Sequence, residues 1–171
     1  MRLLGTASLT LAVPLALALL GLSACDDDAD RAAVDRVVAA ADDARGGVLH
    51  RIAQALALGD ADGSRSFTVC GDALAPGGVV LNDVVRFDSA GALTEQEAAS
   101  AAAGLLEDDG WQVRRPGDPR IVSATKGDLT MRLEITPAQL QVDLGSGCIE
   151  TSREVAEEYD DRPRIELGRS P

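Results

Sequence analysis

The side chains of this chain that could do chemistry are a single histidine, three cysteines and 28 carboxylates. His50 lies beside Leu49 and Ile52 on a predicted helix, and no second histidine or nearby thiol completes a metal-ligand set. We therefore expect His50 on a helix surface, with neither a metal-binding nor a catalytic role.

Nucleophilic catalysis has no support in the motifs. The serines are not in a G-x-S-x-G elbow, a glycine-rich phosphate loop is absent, and neither Cys70 nor Cys148 belongs to a C-x-x-C pair. The sequence leaves open catalysis by a pair of converging carboxylates, because acidic residues are abundant and the sequence does not show which two lie close together. We expect no enzyme and no cofactor, and keep a carboxylate-based hydrolase as the least favoured alternative.

Two acidic stretches have the carboxylate density of a calcium loop. Asp26–Asp30 has neither the turn glycine nor the closing glutamate of such loops, and Asp60–Gly63 has Val69 where that glutamate should be. We therefore predict no metal site, and interpret residues 25–30 as an acidic, solvated tether that leads into a helix.

The N-terminus has the layout of an export signal. Arg2 precedes an apolar run that continues to Leu22, and small residues then lead to Cys25. The stretch Leu22-Ser23-Ala24-Cys25 resembles the lipobox of bacterial lipoproteins. This resemblance implies that residues 1–24 are removed as a signal peptide, that Cys25 is lipidated, and that acyl chains hold the protein on the extracytoplasmic face of the cell membrane. An uncleaved signal-anchor is the alternative.

A disulfide follows from this location. Once Cys25 is lipidated, Cys70 and Cys148 remain as an even pair in an oxidising compartment, each at the end of a predicted strand. We therefore predict that they are bonded to each other.

Composition excludes several partners. The formal net charge is −12 and the aromatic content is 2%, so the basic stripe and the stacking platform that nucleic acids need are both absent. The core must consist mainly of aliphatic side chains.

Apolar spacing predicts two long helices. The first runs over 30–58 with a break or kink at Gly46-Gly47, and the second over 94–109, opened by the capping box Thr94-Glu95-Gln96-Glu97 and ended by Gly110. A second capping box at residues 151–154 predicts a short helix.

The strand pattern is clearest between residues 111 and 144. Strands are expected at 66–70, 79–87, 111–114, 121–125, 129–135 and 140–144, the third to the sixth forming a meander with a turn at Lys126-Gly127. Apolar alternation in the last hairpin pairs Ile135 with Leu140 and sets Arg132 opposite Asp143 on the wet face.

These elements predict an α+β fold, a two-layer sandwich in which helices pack on one face of an antiparallel sheet of about six strands. The predicted organisation is a signal peptide at residues 1–24, a tether at 25–30, one domain at 31–159 and a mobile C-terminal tail at 160–171.

The chain as a whole resembles the small secreted lipoproteins common in actinobacteria. The resemblance rests on the lipobox, the alanine-rich helix ending in Gly110-Trp111, the hairpin at residues 126–129 and the strand end at 146–148. It implies a membrane-anchored extracytoplasmic domain, and it supplies no catalytic residues.

The expected function is that of a lipid-anchored binding or interaction module of the cell envelope, whose partner is an unidentified envelope protein or ligand. The alternative from another class is a carrier of a hydrophobic ligand or lipid, held between helices and sheet where an alanine-rich helix leaves room. The two differ in whether lipid is bound by the soluble domain.

Overall fold

The computed structural model of the chain describes residues 23–72, 75–88 and 93–167. Within these ranges the helices are α1 (Ser23–Ala44), α2 (His50–Ala55), α3 (Glu95–Asp108) and α4 (Arg153–Asp160), and a π-helical turn (Arg45–Leu49) joins α1 to α2. The strands are β1 (Ala61–Asp72), β2 (Ala75–Asp88), β3 (Gln112–Arg114), β4 (Ile121–Lys126), β5 (Leu129–Ile135), β6 (Gln139–Ser146), β7 (Ile149–Glu150) and β8 (Ile165–Glu166).

The described strands form one antiparallel sheet in the order β3-β4-β5-β6-β2-β1-β8, with β7 paired to the end of β2. Helices α1, α3 and α4 pack on one face of it, which confirms the predicted α+β architecture with a strand count of eight in place of about six. The extra strands β7 and β8 have two residues each, too short to show an alternation in the sequence.

The space between the helices and the sheet is filled by one continuous cluster of aliphatic side chains. Val34, Val48 and Ile52 of the first helical segment are fully buried against it. Phe67 and Tyr159 pack edge to face with ring centroids 5.0 Å apart, joining α4 to β1.

The predicted register of the β5–β6 hairpin is confirmed. Ile135 pairs with Leu140, and Arg132 lies opposite Asp143 with 3.7 Å between a guanidinium nitrogen and a carboxylate oxygen. Both charged side chains are about 40% exposed on the face away from the helices, at 42% and 40%. The turn before this hairpin is shifted by one residue from the prediction, because Lys126 pairs with Leu129 and leaves Gly127-Asp128 as the loop.

The capping box of α3 is present as predicted. The Thr94 hydroxyl accepts a hydrogen bond from the Glu97 amide at 3.3 Å, and the Glu97 carboxylate accepts one from the Thr94 amide at 3.0 Å. The Thr94 hydroxyl also donates to that carboxylate, and these bonds lower the pKa of Glu97. At the other end Gly110 has a φ of 82°, the left-handed conformation that a helix stop requires.

The prediction of an acidic tether over residues 25–30 is wrong, because this stretch forms the first turns of α1. The Asp27 carboxylate accepts a hydrogen bond from the Ser152 hydroxyl at 2.7 Å, and Asp30 accepts one from the Ser152 amide at 2.6 Å. The acidic residues are helical because they dock on the start of α4. Residues 1–22 of the predicted signal peptide lie outside the described residues.

Two further boundaries differ from prediction. Ser152, not Thr151, is the N-cap of α4, and its hydroxyl accepts from the Val155 amide. The tail predicted as mobile over 160–171 includes β8, which pairs with β1, and the Leu167 amide donates to the Gly63 carbonyl at 2.9 Å. Backbone pairing at the open edge of β1 holds this segment, and residues 168–171 lie outside the described ranges.

Candidate functional site

The face of the sheet away from the helices is not covered by any of the described helices. Side chains alternate along each strand, so the residues between the buried positions point to this open face. Its charged residues include Arg86, Arg114, Arg132, Glu134 and Asp143, and its hydroxyl and amide residues include Ser64, Ser66, Asn82, Ser123, Thr125, Thr130 and Gln141.

Polar contacts along and between strands occupy the centre of the open face. Arg132 donates to Glu134 at 2.9 Å, and the Gln141 amide donates to Asp143 at 3.0 Å. Arg86 of β2 donates to the Gln141 side-chain oxygen at 3.2 Å. Charges of both signs are therefore held in fixed positions on a rigid sheet.

A depression of about 480 Å³ lies on this face over β4, β5 and β6. Its floor is at Gly145, where an added Cβ would lie 3.0 Å from the Leu81 carbonyl oxygen and 3.9 Å from the Thr130 hydroxyl. A larger residue at position 145 would therefore both crowd the β2 backbone and fill the space. We call this feature the Gly145 depression.

Arg114 lies at the rim of the Gly145 depression, at the end of β3. Its side chain is exposed and has no ion-pair partner in the part of the chain that the structure describes. The hydroxyls of Ser123, Thr125 and Thr130 line the same depression. A planar cation beside a row of hydroxyls can bind a carboxylate and its neighbouring polar groups.

A second concave surface, the α1 groove, runs beside α1 on the other side of the sheet. One part, of about 620 Å³, is lined by Ala33, Val37, Ala40, Leu129 and Ile149 among others. An adjoining part of about 350 Å³ shares Ala40, Lys126 and Leu129 and extends to Trp111 and Gly47. Small side chains on α1 leave this space open, and apolar atoms form much of its floor.

Asp109 fixes one end of the α1 groove. It accepts hydrogen bonds from Arg51, from the Lys126 ammonium at 3.0 Å and from the Trp111 indole at 3.2 Å. The bond from Arg51 is the largest influence and lowers the pKa of Asp109; burial opposes it, and the bond from Lys126 adds to the lowering. The carboxylate therefore joins α2, α3, β4 and the single tryptophan.

A charged cluster that the sequence reasoning missed lies inside the core. Arg65 donates two hydrogen bonds to Asp83, at 2.8 and 2.6 Å, and a third to Asp42 of α1 at 2.8 Å. The Arg65 and Asp83 side chains are 6% and 0% exposed. The signal was in the alternation, since Arg65 shares a strand face with Phe67 and Asp83 lies between Leu81 and Val85 on the inward face.

Asp42 and Asp83 are two converging carboxylates, the arrangement that a carboxylate-based hydrolase would need. Both, however, are held by the same guanidinium, and the Asp83 side chain is fully buried. The Asp42 side chain, by contrast, is 45% exposed, so only one of the two carboxylates is open to solvent.

Cys70 and Cys148 form the predicted disulfide, with 5.9 Å between their Cα atoms. It joins the end of β1 to the connection between β6 and β7. Gly78 lies against it, where a Cβ would be 2.8 Å from the Cys148 sulfur and 2.4 Å from the Ile149 carbonyl oxygen. The close approach of β2 and β7 therefore depends on a glycine at that position.

Two further candidate residues from the sequence are His50 and Cys25. His50 is exposed at the start of α2, where its Nε2 lies 2.9 Å from the Gln54 side-chain nitrogen, as predicted for a helix surface. Cys25 lies in α1, and its side chain falls outside the described set. Over residues 23–72, 75–88 and 93–167, no group of three potential metal ligands converges.

No helix within the described ranges is both long enough and apolar enough to cross a bilayer. Comparisons with protein-family models, with curated proteins and with solved structures found no match to this chain. The chemistry of its surfaces is therefore the basis on which a function can be proposed.

Proposed function

We propose that this chain is a lipid-anchored binding module on the extracytoplasmic face of a bacterial cell membrane, and that it recognises an envelope protein through the open face of its sheet. The observation that carries the proposal is the Gly145 depression, a concave surface lined by both polar and apolar atoms on a sheet face that no described helix covers.

The chemistry of the open face favours a protein over a sugar or a nucleic acid. Charges of both signs are fixed there by Arg86, Arg132, Glu134 and Asp143, a pattern that suits the rim of a protein interface. Aromatic side chains, on which sugar rings and bases stack, make up only 2% of the chain. Arg114 is the residue most available to pair with a carboxylate of the partner.

Site-specific photo-crosslinking in intact envelopes tests this surface. A photoreactive amino acid replaces Thr125 on the open face or, as the control, Ser100 on the exposed side of α3. We expect a covalent adduct with one protein from position 125 and none from position 100. An adduct from position 100 alone, or from neither position, would refute the open face as the binding surface.

A charge reversal sharpens the test. Arg114→Glu should lower the yield of the position-125 adduct several-fold, because it places repulsion where a carboxylate would bind. Arg115→Glu is the matched control, since it changes the charge equally at the next, exposed position beyond β3. Equal yields in both variants would contradict the role of Arg114.

The anchor has its own test. Cys25→Ser should release the protein from membranes or leave an unprocessed precursor, because a hydroxyl does not replace the thiol that carries the lipid. Intact-mass analysis of the wild-type protein should show an acylated chain beginning at Cys25. An unmodified Cys25 with residues 1–24 still attached would support the signal-anchor alternative instead.

A second function, carriage of a hydrophobic ligand, is favoured by one observation, the α1 groove of about 620 Å³. Native mass spectrometry of the soluble domain should then detect co-purified lipid. Ala40→Trp would fill the groove and abolish that species, whereas Ala39→Trp, at an exposed position outside the groove lining, would preserve it. A ligand-free spectrum of the wild-type domain would exclude the carrier.

A further inference from the structure

We infer that the anchored domain has no flexible linker and stands upright on the bilayer, with the start of α1 and the disulfide next to the lipid headgroups and the β5–β6 loop pointing away. This inference rests on the proposed lipidation of Cys25. It adds an interaction surface, the end of the fold that faces the membrane, and it fixes how the open face is presented.

The first helical turn is bound to the rest of the domain, so no flexible segment follows Cys25. Asp27 is bound by the Ser152 hydroxyl at 2.7 Å and Asp30 by the Ser152 amide at 2.6 Å. Asp27 is two positions beyond Cys25, which in a helix is an advance of about 3 Å along the axis. A lipid on Cys25 therefore lies within a few ångströms of a residue that is already part of the folded domain.

Contacts farther along α1 hold the same helix against α4. Arg31 donates to Glu158 at 2.9 Å, and the Tyr159 hydroxyl donates to Asp35 at 3.0 Å. The direction of α1 is thus fixed relative to the domain over its first three turns. The polypeptide therefore provides no hinge between the acylated residue and the rest of the domain.

The strands divide the domain into two ends. Ser152 follows β7, and the Thr151 amide donates to Gly77 at the start of β2, so α1 begins at the end where β6 finishes and β5 starts. We call this the anchor end. Its described surface includes the Asp128 turn, which accepts a hydrogen bond from the Gly147 amide, and the disulfide at Cys148.

The opposite, distal end is formed by the loop between β5 and β6. It contains Pro137 and Ala138, and the nearby Gly59 amide donates to Asp88 at the end of β2. The seven residues of β5 separate Asp128 from this loop by roughly 23 Å at a rise of about 3.3 Å per residue. The distal end is therefore far outside the headgroup layer.

In this orientation the ends of the strands, and not an edge strand, face the bilayer. Because the strands run from the anchor end to the distal end, the open face is turned sideways, toward neighbours in the same membrane. The carboxylates at the start of α1 have the same sign of charge as anionic headgroups and are not attracted to them. The short covalent connection, not charge, keeps the anchor end at the surface.

Spin labels on the full, lipidated protein test the orientation in phosphatidylcholine vesicles that contain a nickel-chelating lipid. A clickable non-natural amino acid carries the label, which leaves the native cysteines untouched. It replaces either Asp128 at the anchor end or Ala138 at the distal end, both of which are exposed. We expect nickel-induced relaxation to be several-fold stronger at position 128.

A linker variant identifies the cause. Insertion of a long Gly-Ser segment between Asp26 and Asp27 should reduce the signal at position 128 to that at position 138, because the domain then tumbles freely. The double variant Asp27→Ala/Asp30→Ala should weaken it in the same direction, whereas Asp43→Ala, which alters an exposed carboxylate on α1 away from Ser152, should not.

The outcomes separate this inference from the proposed anchor. An intact mass without acyl chains on Cys25 would overturn the anchor itself. An acylated Cys25 with equal relaxation at positions 128 and 138 would overturn the upright orientation while leaving the anchor in place. An unequal signal that survives the inserted linker would show that a direct contact, and not the short connection, holds the domain upright.

Discussion

Arg65 of β1 lies directly opposite Asp83 of β2 on the helix-facing side of the sheet, and its guanidinium donates two hydrogen bonds to that carboxylate. A core of aliphatic side chains thus encloses an ion pair that also binds Asp42 of α1. The cost of desolvation leaves such an ion pair with little net stabilising free energy. Removal of either partner is nevertheless strongly destabilising, because it leaves a buried charge without a partner.

Asp83→Ala should lower the free energy of unfolding by about 3–5 kcal/mol, because it leaves the Arg65 guanidinium buried with only Asp42. Asp143→Ala, which removes a partly exposed carboxylate from the open face, should cost less than about 1 kcal/mol. Urea unfolding measures both. The double variant Arg65→Met/Asp83→Leu should be more stable than Asp83→Ala, and equal stability would contradict the desolvation argument.

The disulfide should contribute about 4–5 kcal/mol by restricting the unfolded chain over the 78 residues between Cys70 and Cys148. The variant Cys70→Ala/Cys148→Ala should therefore melt roughly 10 °C lower or more. In the folded, unreduced wild-type protein, neither cysteine should react with an alkylating reagent. Alkylation of both would show that the bond is absent in solution.

Thr94→Ala should destabilise the protein by about 1 kcal/mol, since it removes the side-chain acceptor of the Glu97 amide at the start of α3. Ser100→Ala lies on the exposed side of the same helix and should change stability by less than half as much. Chemical unfolding of the two variants side by side provides the comparison. A loss of the same size in both variants would show that the effect is not specific to the N-cap, since helix propensity alone would favour alanine at either position.

Tyr159 should make stability fall at alkaline pH. Burial, followed by the hydrogen bond to Asp35, raises the pKa of its phenol. The folded state therefore holds this proton more tightly than the unfolded state, so the contribution is complete below the ordinary value of about 10 and is lost as the pH rises through the higher folded value.

Tyr159→Phe measures that contribution cleanly, because the chain has one tyrosine. The variant should lose about 0.5–1.5 kcal/mol at neutral pH with its hydrogen bond to Asp35. The difference from the wild-type protein should then shrink as the pH rises above about 10. A constant difference over that range would contradict the raised pKa.

Local patterns predicted much of the sheet. The β5–β6 register was available from alternation alone, because a slip of one residue would turn Leu133 or Val142 to solvent. The helix over residues 94–109 and the cysteine pairing were available for similar reasons, a capping box with a glycine stop in one case and an even cysteine count in the other.

What the sequence did not predict depends on contacts between distant segments. Asp26–Asp30 has the composition of a solvated tether and is helical because Ser152, more than 120 residues away, binds two of its carboxylates. The C-terminal segment looks mobile by composition, but β8 pairs with an edge that β1 leaves open. The Gly145 depression likewise arises only where several strands lie side by side.

The π-helical turn at Arg45–Leu49 determines which residues of the first helical segment face the sheet. Ala44, Val48, Ile52 and Leu56 are buried at intervals of four residues, and each interval advances about 40° beyond a full turn of a regular α-helix. In a regular helix, three such intervals would rotate the line of buried residues by about 120°. The π turn accommodates one extra residue and so cancels about 100° of this rotation. Deletion of Gly46 should therefore give a regular α-helix in which Ile52 and Leu56 still face the sheet, because the eleven steps then left between Ala44 and Leu56 turn through only about 20° more than three full turns.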